Sequence, residues 1–491
     1  MEKTAKNRLQ ELNKLFERQP RMAMAKLQSL VRQGKFQNSD MWGVYQLQAR
    51  YYGLFNDWPR WKTAFWRSIA EVDGLTRERQ EETLSNYLFK LHYLPDLSDT
   101  ELRETSFLYD QFAQTAVQFE HPLARHQHTK LHIGYIMTAI GENVLARFCT
   151  HLLTEYDRDH FEVYVYVLTD DQQNEILEKV RQNVKVVQQF SDGQNLHEIA
   201  QTIYDDEIDI MFDVEVHVSG GHTLRVLCYK PAPVQISGIG YMSTSGTHVI
   251  DYFLGDKYLD PPGLHDDDFA EQIIRLPHSH LCYVPSGHAR QITKKRTLHE
   301  GIVFASFNNI VKITDDMLKA WAEILRRVPD SRLLIKDTET RRYRMKLLHK
   351  RMLQAGIPED KMTLEGPTAD FMECYRAIDI LLDTYPYTGG ATTCDALYMG
   401  VPVVTRYGRR HGSRFGYSLL MNVGLGELAA PDLAGYIERA VALAQDRQLL
   451  TALHERLPQM MRESPLMNAQ GYVRVLERLY RGIWQKWLRR Q

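Results

Sequence analysis

The sequence predicts an α/β protein in which two parallel-sheet units follow an all-helical region. Three observations predict this. Apolar strand-like runs alternate with helical patterns over residues 131–214, the same alternation restarts at residue 302, and residues 1–125 carry helical spacing without a convincing strand. Strand–helix alternation implies parallel strands joined by helical crossovers, with helices covering both faces of each sheet.

In chain order, Ala23, Leu27, Leu30 and Val31, then Leu47, Tyr51 and Tyr52, fall at intervals that place them on single helix faces. A linker at His121-Pro122 leads to the first strand, 131–136. There follow a strand at 161–168, a helix at 173–182, a strand at 184–187, a helix at 196–204 and a strand at 208–214. The second unit opens with a strand at 302–307. Its helix at 315–328 has Thr314 as N-cap and Leu318, Trp321, Ile324, Leu325 and Val328 on one apolar face. Strands at 332–336, 378–382 and 401–405 continue it, and a helix at 471–488 ends the chain, expected to return toward the first unit. The domains are therefore drawn at 1–125, 126–300, 301–455 and 456–491.

Composition narrows the function. Sixty lysines and arginines against 62 acids give a net charge of −2, which supplies no field for nucleic acid or an acidic membrane. The five cysteines, Cys149, Cys228, Cys282, Cys374 and Cys394, are odd in number and scattered, which argues against a disulfide framework and a zinc site built on cysteine. Residues 1–20 are charged throughout and no run is long enough to cross a bilayer, so a cytoplasmic protein is expected.

The most informative run is D-T-Y-P-Y-T-G-G-A-T-T-C-D-A-L-Y-M-G-V-P-V-V-T, residues 383–405. A buried strand leads into Gly389-Gly390, where backbone can approach a ligand, and Thr392-Thr393-Cys394-Asp395 opens a helix ending at Gly400. Free amides and the positive end of the helix dipole then face whatever lies above the turn, a design suited to a diphosphate. No acidic pair stands where it would hold a metal: Asp266-Asp267-Asp268 lies in a polar loop and Asp315-Asp316 in a helix first turn. Lys312, a short loop beyond a buried strand, can reach a phosphate as a point charge.

This run resembles the O-GlcNAc transferase family, glycosyltransferase family 41, in its bacterial-type form with a short helical N-terminal region. Its members carry D-x-x-P-Y-x-G-x-T-T-x-(D/E)-A-L-x-M-G-V-P-V-V-T. The similarity extends in order through Leu131-His132-Ile133-Gly134-Tyr135, Pro231-Ala232-Pro233-Val234-Gln235, Ile239-Gly240-Tyr241, Phe307-Asn308-Asn309 and a tail from Ser464-Pro465 to Trp484. It covers about residues 85–485. The resemblance implies GT-B architecture, two Rossmann-like domains facing a cleft, and a donor such as UDP-GlcNAc or UDP-glucose with no metal and no further cofactor. The family's tetratricopeptide repeats, helix pairs that read acceptor proteins, would here be reduced to degenerate pairs, since no clean 34-residue repeat is present.

Carried over residue by residue, the resemblance implies that Lys312 contacts the UDP diphosphate, Asn309 lies beside the nucleotide, Thr392 and Thr393 hold phosphates and Asp395 holds the ribose hydroxyls. Arg414, with His411, falls in the family's H-x-S-R run, with Phe415 in place of valine; a helix-capping or domain-clasping role is its alternative. Lys336, at a strand end, stands between a donor-side and a surface role. On the acceptor side His217 is the preferred base, with His222 a rival and Asp213 nearby. Family histidines are replaced at Asn143, Phe371 and Ala391. Asparagine can orient a group but cannot exchange a proton at neutral pH.

The expectation is an inverting, metal-independent protein glycosyltransferase that moves GlcNAc or a hexose from a UDP-sugar to Ser or Thr of an acceptor protein. Asn glucosylation within the same family is the alternative chemistry. A non-catalytic binding subunit is the alternative class. A nicotinamide dehydrogenase is disfavoured because no G-x-G-x-x-G follows the first strand.

Overall fold

The computed structural model describes residues 4–141, 143–170, 174–191, 193–292, 300–337 and 342–491. The first sheet consists of β1 (Leu131–Met137), β2 (Phe161–Val167), β3 (Val186–Gln189), β4 (Ile210–Asp213), β5 (Val234–Gly238), β6 (Tyr252–Asp256) and β7 (Gln272–Leu276). The second comprises β8 (Ile302–Ser306), β9 (Ser331–Lys336), β10 (Met362–Glu365), β11 (Ile380–Leu382), β12 (Val403–Arg406) and β13 (Ala429–Ala430). Their strand orders are β3-β2-β1-β4-β5-β6-β7 and β10-β9-β8-β11-β12-β13. Every pairing is parallel. Both sheets reverse direction next to their first strand, and such a switch point is where ligands settle, outside the strand carboxyl ends.

Local chemistry explains the elements. β4, β5, β6 and β8 are buried along their whole length, as befits strands covered on both faces. The helix Asp315–Arg327 is capped by Thr314, whose hydroxyl accepts from Met317 N at 3.3 Å, and its first-turn acids complement the dipole. The helix expected from 173 runs Glu175–Arg181; Gln173 itself lies outside the described residues.

Ahead of the sheets come the helices Ala5–Arg18, Pro20–Arg32, Met41–Leu54, Trp58–Ala70, Arg77–Leu91, Asp99–Phe107 and Asp110–Gln114. The first three share a small core of their own around Leu12, Phe16, Ala23, Leu27, Val44 and Leu47. The later ones merge with the first sheet through Tyr87, Leu88, Tyr109 and Phe112. The last helix, Ala469–Leu488, lies on the first unit: Tyr472 donates to His280 O at 2.6 Å, and the Tyr135 and Tyr480 hydroxyls are 3.2 Å apart.

Candidate active site

The second sheet supplies a seat organised by Asp383, a residue the motif contained but whose role was not read from it. It follows β11, is fully buried, and spends one oxygen on Gly389 N and Thr384 N (both 2.8 Å) and on Asn308 Nδ2 (3.0 Å). The other oxygen accepts from Thr405 Oγ1 at 2.7 Å. Burial pushes its pKa up, while these donors and the charge of Lys312 oppose that. One carboxylate thus ties the strand end, the glycine turn and the loop after β8 into a single rigid frame. The signal for it was an acid closing an apolar strand.

The helix Ala391–Tyr398 starts above this frame. Its first intrahelical bond is Cys394 N to Gly390 O at 3.0 Å, so the three preceding amides have no acceptor within the helix and can face an anion. The threonines serve the turn: Thr392 Oγ1 donates to Asn308 Oδ1 at 3.0 Å and Thr393 Oγ1 to Gly389 O at 3.1 Å. In this conformation the amides, rather than these two hydroxyl hydrogens, are the donors left for phosphate. Ala391 opens the helix, and Phe371 packs its ring against Phe307 and Tyr375.

Lys312 stands at the lip of the seat. Its ammonium lies 3.6 Å from the centre of the Tyr387 ring and donates to Thr388 O at 3.2 Å. Burial lowers its pKa to about 8, with Asp383 pulling the other way. A cation held, among the described residues, by a carbonyl and a ring face is available to an arriving phosphate. Asn309, three residues earlier, caps the short turn Ile310–Lys312 by accepting from Val311 N at 3.1 Å.

Two predicted donor residues also join the sheet units. Asp395 accepts from Arg147 Nη1 at 2.7 and 2.6 Å and from Tyr283 OH at 2.5 Å, so one guanidinium nitrogen and a phenol of the first unit hold both its oxygens. Arg414 donates to Tyr258 O and Gly408 O, both at 2.9 Å, and lies over the Tyr407 and Tyr417 rings. The domain-clasping alternative describes Arg414 better than direct donor binding. His411 joins the same seam, with Nδ1 at 2.9 Å from Asp260. Lys336 is fully buried and paired with Glu365 Oε2 at 3.1 Å, which corrects the surface reading and leaves its charge already partnered.

On the first sheet the acceptor-side expectation needs correction. His217 is fully buried, with Nδ1 3.0 Å from Ser85 Oγ and Nε2 3.0 Å from Ser245 O. Burial lowers its pKa to about 3. With both nitrogens engaged and no open face, its placement does not support a role as proton acceptor. His222 begins the short helix His222–Leu227. Asn143 is exposed beyond β1 and accepts from Ala146 N, the first amide of the helix Ala146–Thr154, at 2.9 Å; its neighbour Glu142 lies outside the described residues.

Beside them stand Asp213, already noted in the sequence, and Glu215, which the sequence reading passed over. Glu215 accepts from Thr138 N at 3.0 Å and from the Thr138 hydroxyl, and burial raises its pKa to about 7. Asp213 accepts from Glu215 N and Val216 N at 2.9 and 3.0 Å, with its pKa raised to about 6 by burial. Val216 and Ile239 hold φ of 54° and 71°, a region that costs a β-branched residue strain.

Two facing parallel-sheet units with an anion seat at the carboxyl end of the second define the GT-B class of glycosyltransferase folds. The structure aligns with a Lys→Met mutant of O-GlcNAc transferase from Thermobaculum terrenum at TM-score 0.83 and 25% identity, over 95% of this chain and 87% of that one. The family model of glycosyl transferase family 41 matches residues 110–300 and 284–476, and the chain belongs to that family. Tomato SPINDLY, named a probable UDP-N-acetylglucosamine–peptide N-acetylglucosaminyltransferase, is 36% identical over 368 residues, 72% of this chain and 39% of its own length. Its Petunia hybrida counterpart is 33% identical over 419 residues, 82% of this chain and 44% of its own length. The chain therefore spans about two fifths of the length of these curated relatives.

Proposed function

We propose that this chain transfers GlcNAc or a hexose from a UDP-sugar to Ser or Thr side chains of acceptor proteins, with inversion and without a catalytic metal. The observation that carries this reading is the Asp383 frame, which holds a helix start and the Lys312 ammonium around one turn. A diphosphate laid on the amides of residues 391–393 meets the positive end of the helix. As the sugar leaves, charge grows on the outer phosphate, and Lys312 moving from Thr388 O to that oxygen stabilises it. Asp395 takes the ribose hydroxyls by sharing its carboxylate with Arg147, so donor binding and domain closure are linked.

The test is intact-mass analysis of acceptor proteins co-expressed with the wild-type chain or with Lys312→Ala. A sugar-sized mass increment confined to the wild type, mapped by fragmentation to Ser or Thr, is the expected result. Mapping to Asn would favour the N-glucosyl chemistry. UDP binding without transfer to any acceptor would favour the non-catalytic binding subunit.

A further inference from the structure

At the amino-terminal edge of the first sheet, remote from the strand carboxyl ends that form the seat, the segment before β1 meets the residues entering β4. Asp209, immediately before β4, and Glu207 face two histidines of the H-Q-H run His126-Gln127-His128. We propose that His126, His128 and Asp209, with Glu207 as a fourth ligand, form a structural site for a divalent cation of the zinc type. The proposal is independent of the glycosyltransferase reading.

One ligand atom from each of His126, His128 and Asp209 lies within 4.8 Å of the others. His126 Nδ1 is 2.9 Å from Asp209 Oδ1; His128 Nε2 is 3.9 Å from that same oxygen and 3.9 Å from Glu207 Oε2. Ligands about 2.0–2.1 Å from a tetrahedral zinc stand roughly 3.3–3.4 Å apart, so these separations bracket what the ion requires. A hydrogen-bonded His126–Asp209 pair accounts for the first contact alone. It leaves unexplained why His128 Nε2 is buried, has no hydrogen-bond partner, and points between two carboxylate oxygens beyond hydrogen-bonding reach. A cation placed among them satisfies that nitrogen and both acids together.

The surroundings hold the ligands in place. The His128 ring stacks on His132 at 3.8 Å and 14°, and His132 Nδ1 lies 3.2 Å from Glu207 O. Asp209 is steadied through its second oxygen, which accepts from His132 N at 2.9 Å. Glu207 sits at φ 51°, a conformation unfavourable for glutamate. Arg125, 3.7 Å from Glu207 Oε1, is the competing cation, and Glu162 stands 3.6 Å from His132 Nε2. Trp484 and Trp487 of the last helix pack on the His126 ring at 5.7 and 5.6 Å, so the site joins the linker, the first sheet and the chain's final helix. Two imidazoles with carboxylates suit zinc better than calcium or magnesium, and cysteine spacing could not have revealed such a set. Its position assigns it to fixing the linker rather than to sugar transfer.

The test titrates Zn2+ into tag-free, chelator-stripped protein by calorimetry, with Co2+ as a spectroscopic probe. The proposal expects one equivalent bound per chain, a Tm that rises with zinc, and a visible Co2+ spectrum of low coordination number. His128→Ala should weaken zinc by more than the ~10–100-fold that loss of an outer-sphere partner costs, while an unchanged far-ultraviolet circular dichroism spectrum shows the fold intact. Glu207→Gln should weaken it less, and His160→Ala, an exposed histidine outside the cluster, should leave it unchanged. No stoichiometric binding, or binding indifferent to His128→Ala, would overturn the proposal.

Discussion

At the carboxyl end of β11 one buried carboxylate, Asp383, gathers a strand end, a glycine turn and a neighbouring loop, with a helix start and the Lys312 ammonium beside the turn. At the carboxyl end of β4 two buried carboxylates, Asp213 and Glu215, spend their bonds on their own chain and on Thr138, next to a valine in a strained conformation. The second unit leaves the first amides of a helix without an acceptor in that helix. The first is built to hold shape, with its histidine His217 locked between Ser85 and Ser245. On this account donor recognition resides in rigid backbone of the second unit. The acceptor needs no strong side-chain base if the departing phosphate takes its proton.

The largest expected effect comes from Lys312→Ala, which should lower turnover by about two orders of magnitude or more while changing UDP affinity much less, because the ammonium acts on charge that appears as the bond breaks. Lys312→Arg should rescue poorly, since a planar fork does not replace a point charge. Equal losses in affinity and turnover would make Lys312 a simple anchor. The same lysine predicts a pH limb. The protonated form is the active one, so turnover should be full below the pKa of about 8 and fall as pH rises through it in kcat/KM. A bound diphosphate favours the charged form and should carry that limb to higher pH in kcat. A limb unmoved by donor would separate Lys312 from the phosphates.

Next in size, Asp383→Asn should cost about 2–4 kcal/mol of stability and most of the UDP affinity, since an amide nitrogen cannot accept the bonds the lost oxygen received. Thermal melts with and without UDP read both effects. His217→Gln should cost stability too, yet keep turnover per folded molecule within about tenfold, whereas loss of a general base costs on the order of 100-fold or more.

The architecture was legible because apolar runs and helical patterns mark strands and crossovers directly, as at 131–136 and the Thr314-capped helix. The seat was partly legible: Gly389, Thr392 and Thr393 stand at the turn, but which of their groups remain free also depends on Asn308, whose bonds to Asp383 and Thr392 span 75 and 84 residues of sequence. Asp395 and Arg414 were harder still. Their partners, Arg147, Tyr283 and Tyr258, belong to the other unit, and no local spacing reveals a contact of that kind. His217 looked reactive as a histidine after a strand; its burial under the N-terminal helices, through Ser85, is a tertiary fact.

The smallest effect sharpens the contrast from the first unit. Glu215 has a folded pKa of about 7 against an ordinary 4.5, so the folded state binds the extra proton and this group's contribution declines as pH rises from 4.5 through 7. Glu215→Gln should therefore stabilise the fold by about 1–2 kcal/mol at pH 8 and by little at pH 4, read from denaturant midpoints. Destabilisation at pH 8 would show the charge to be well accommodated.

The central claim, that the donor is held by the second unit's Asp383 frame, is tested most directly by calorimetric titration of UDP into the wild type, Asp383→Asn and His217→Gln, each first shown to be folded. The account predicts that the wild type and His217→Gln bind with closely similar affinity while Asp383→Asn binds at least about tenfold more weakly. Undiminished binding by Asp383→Asn together with loss of binding by His217→Gln would contradict it and move the donor to the first unit.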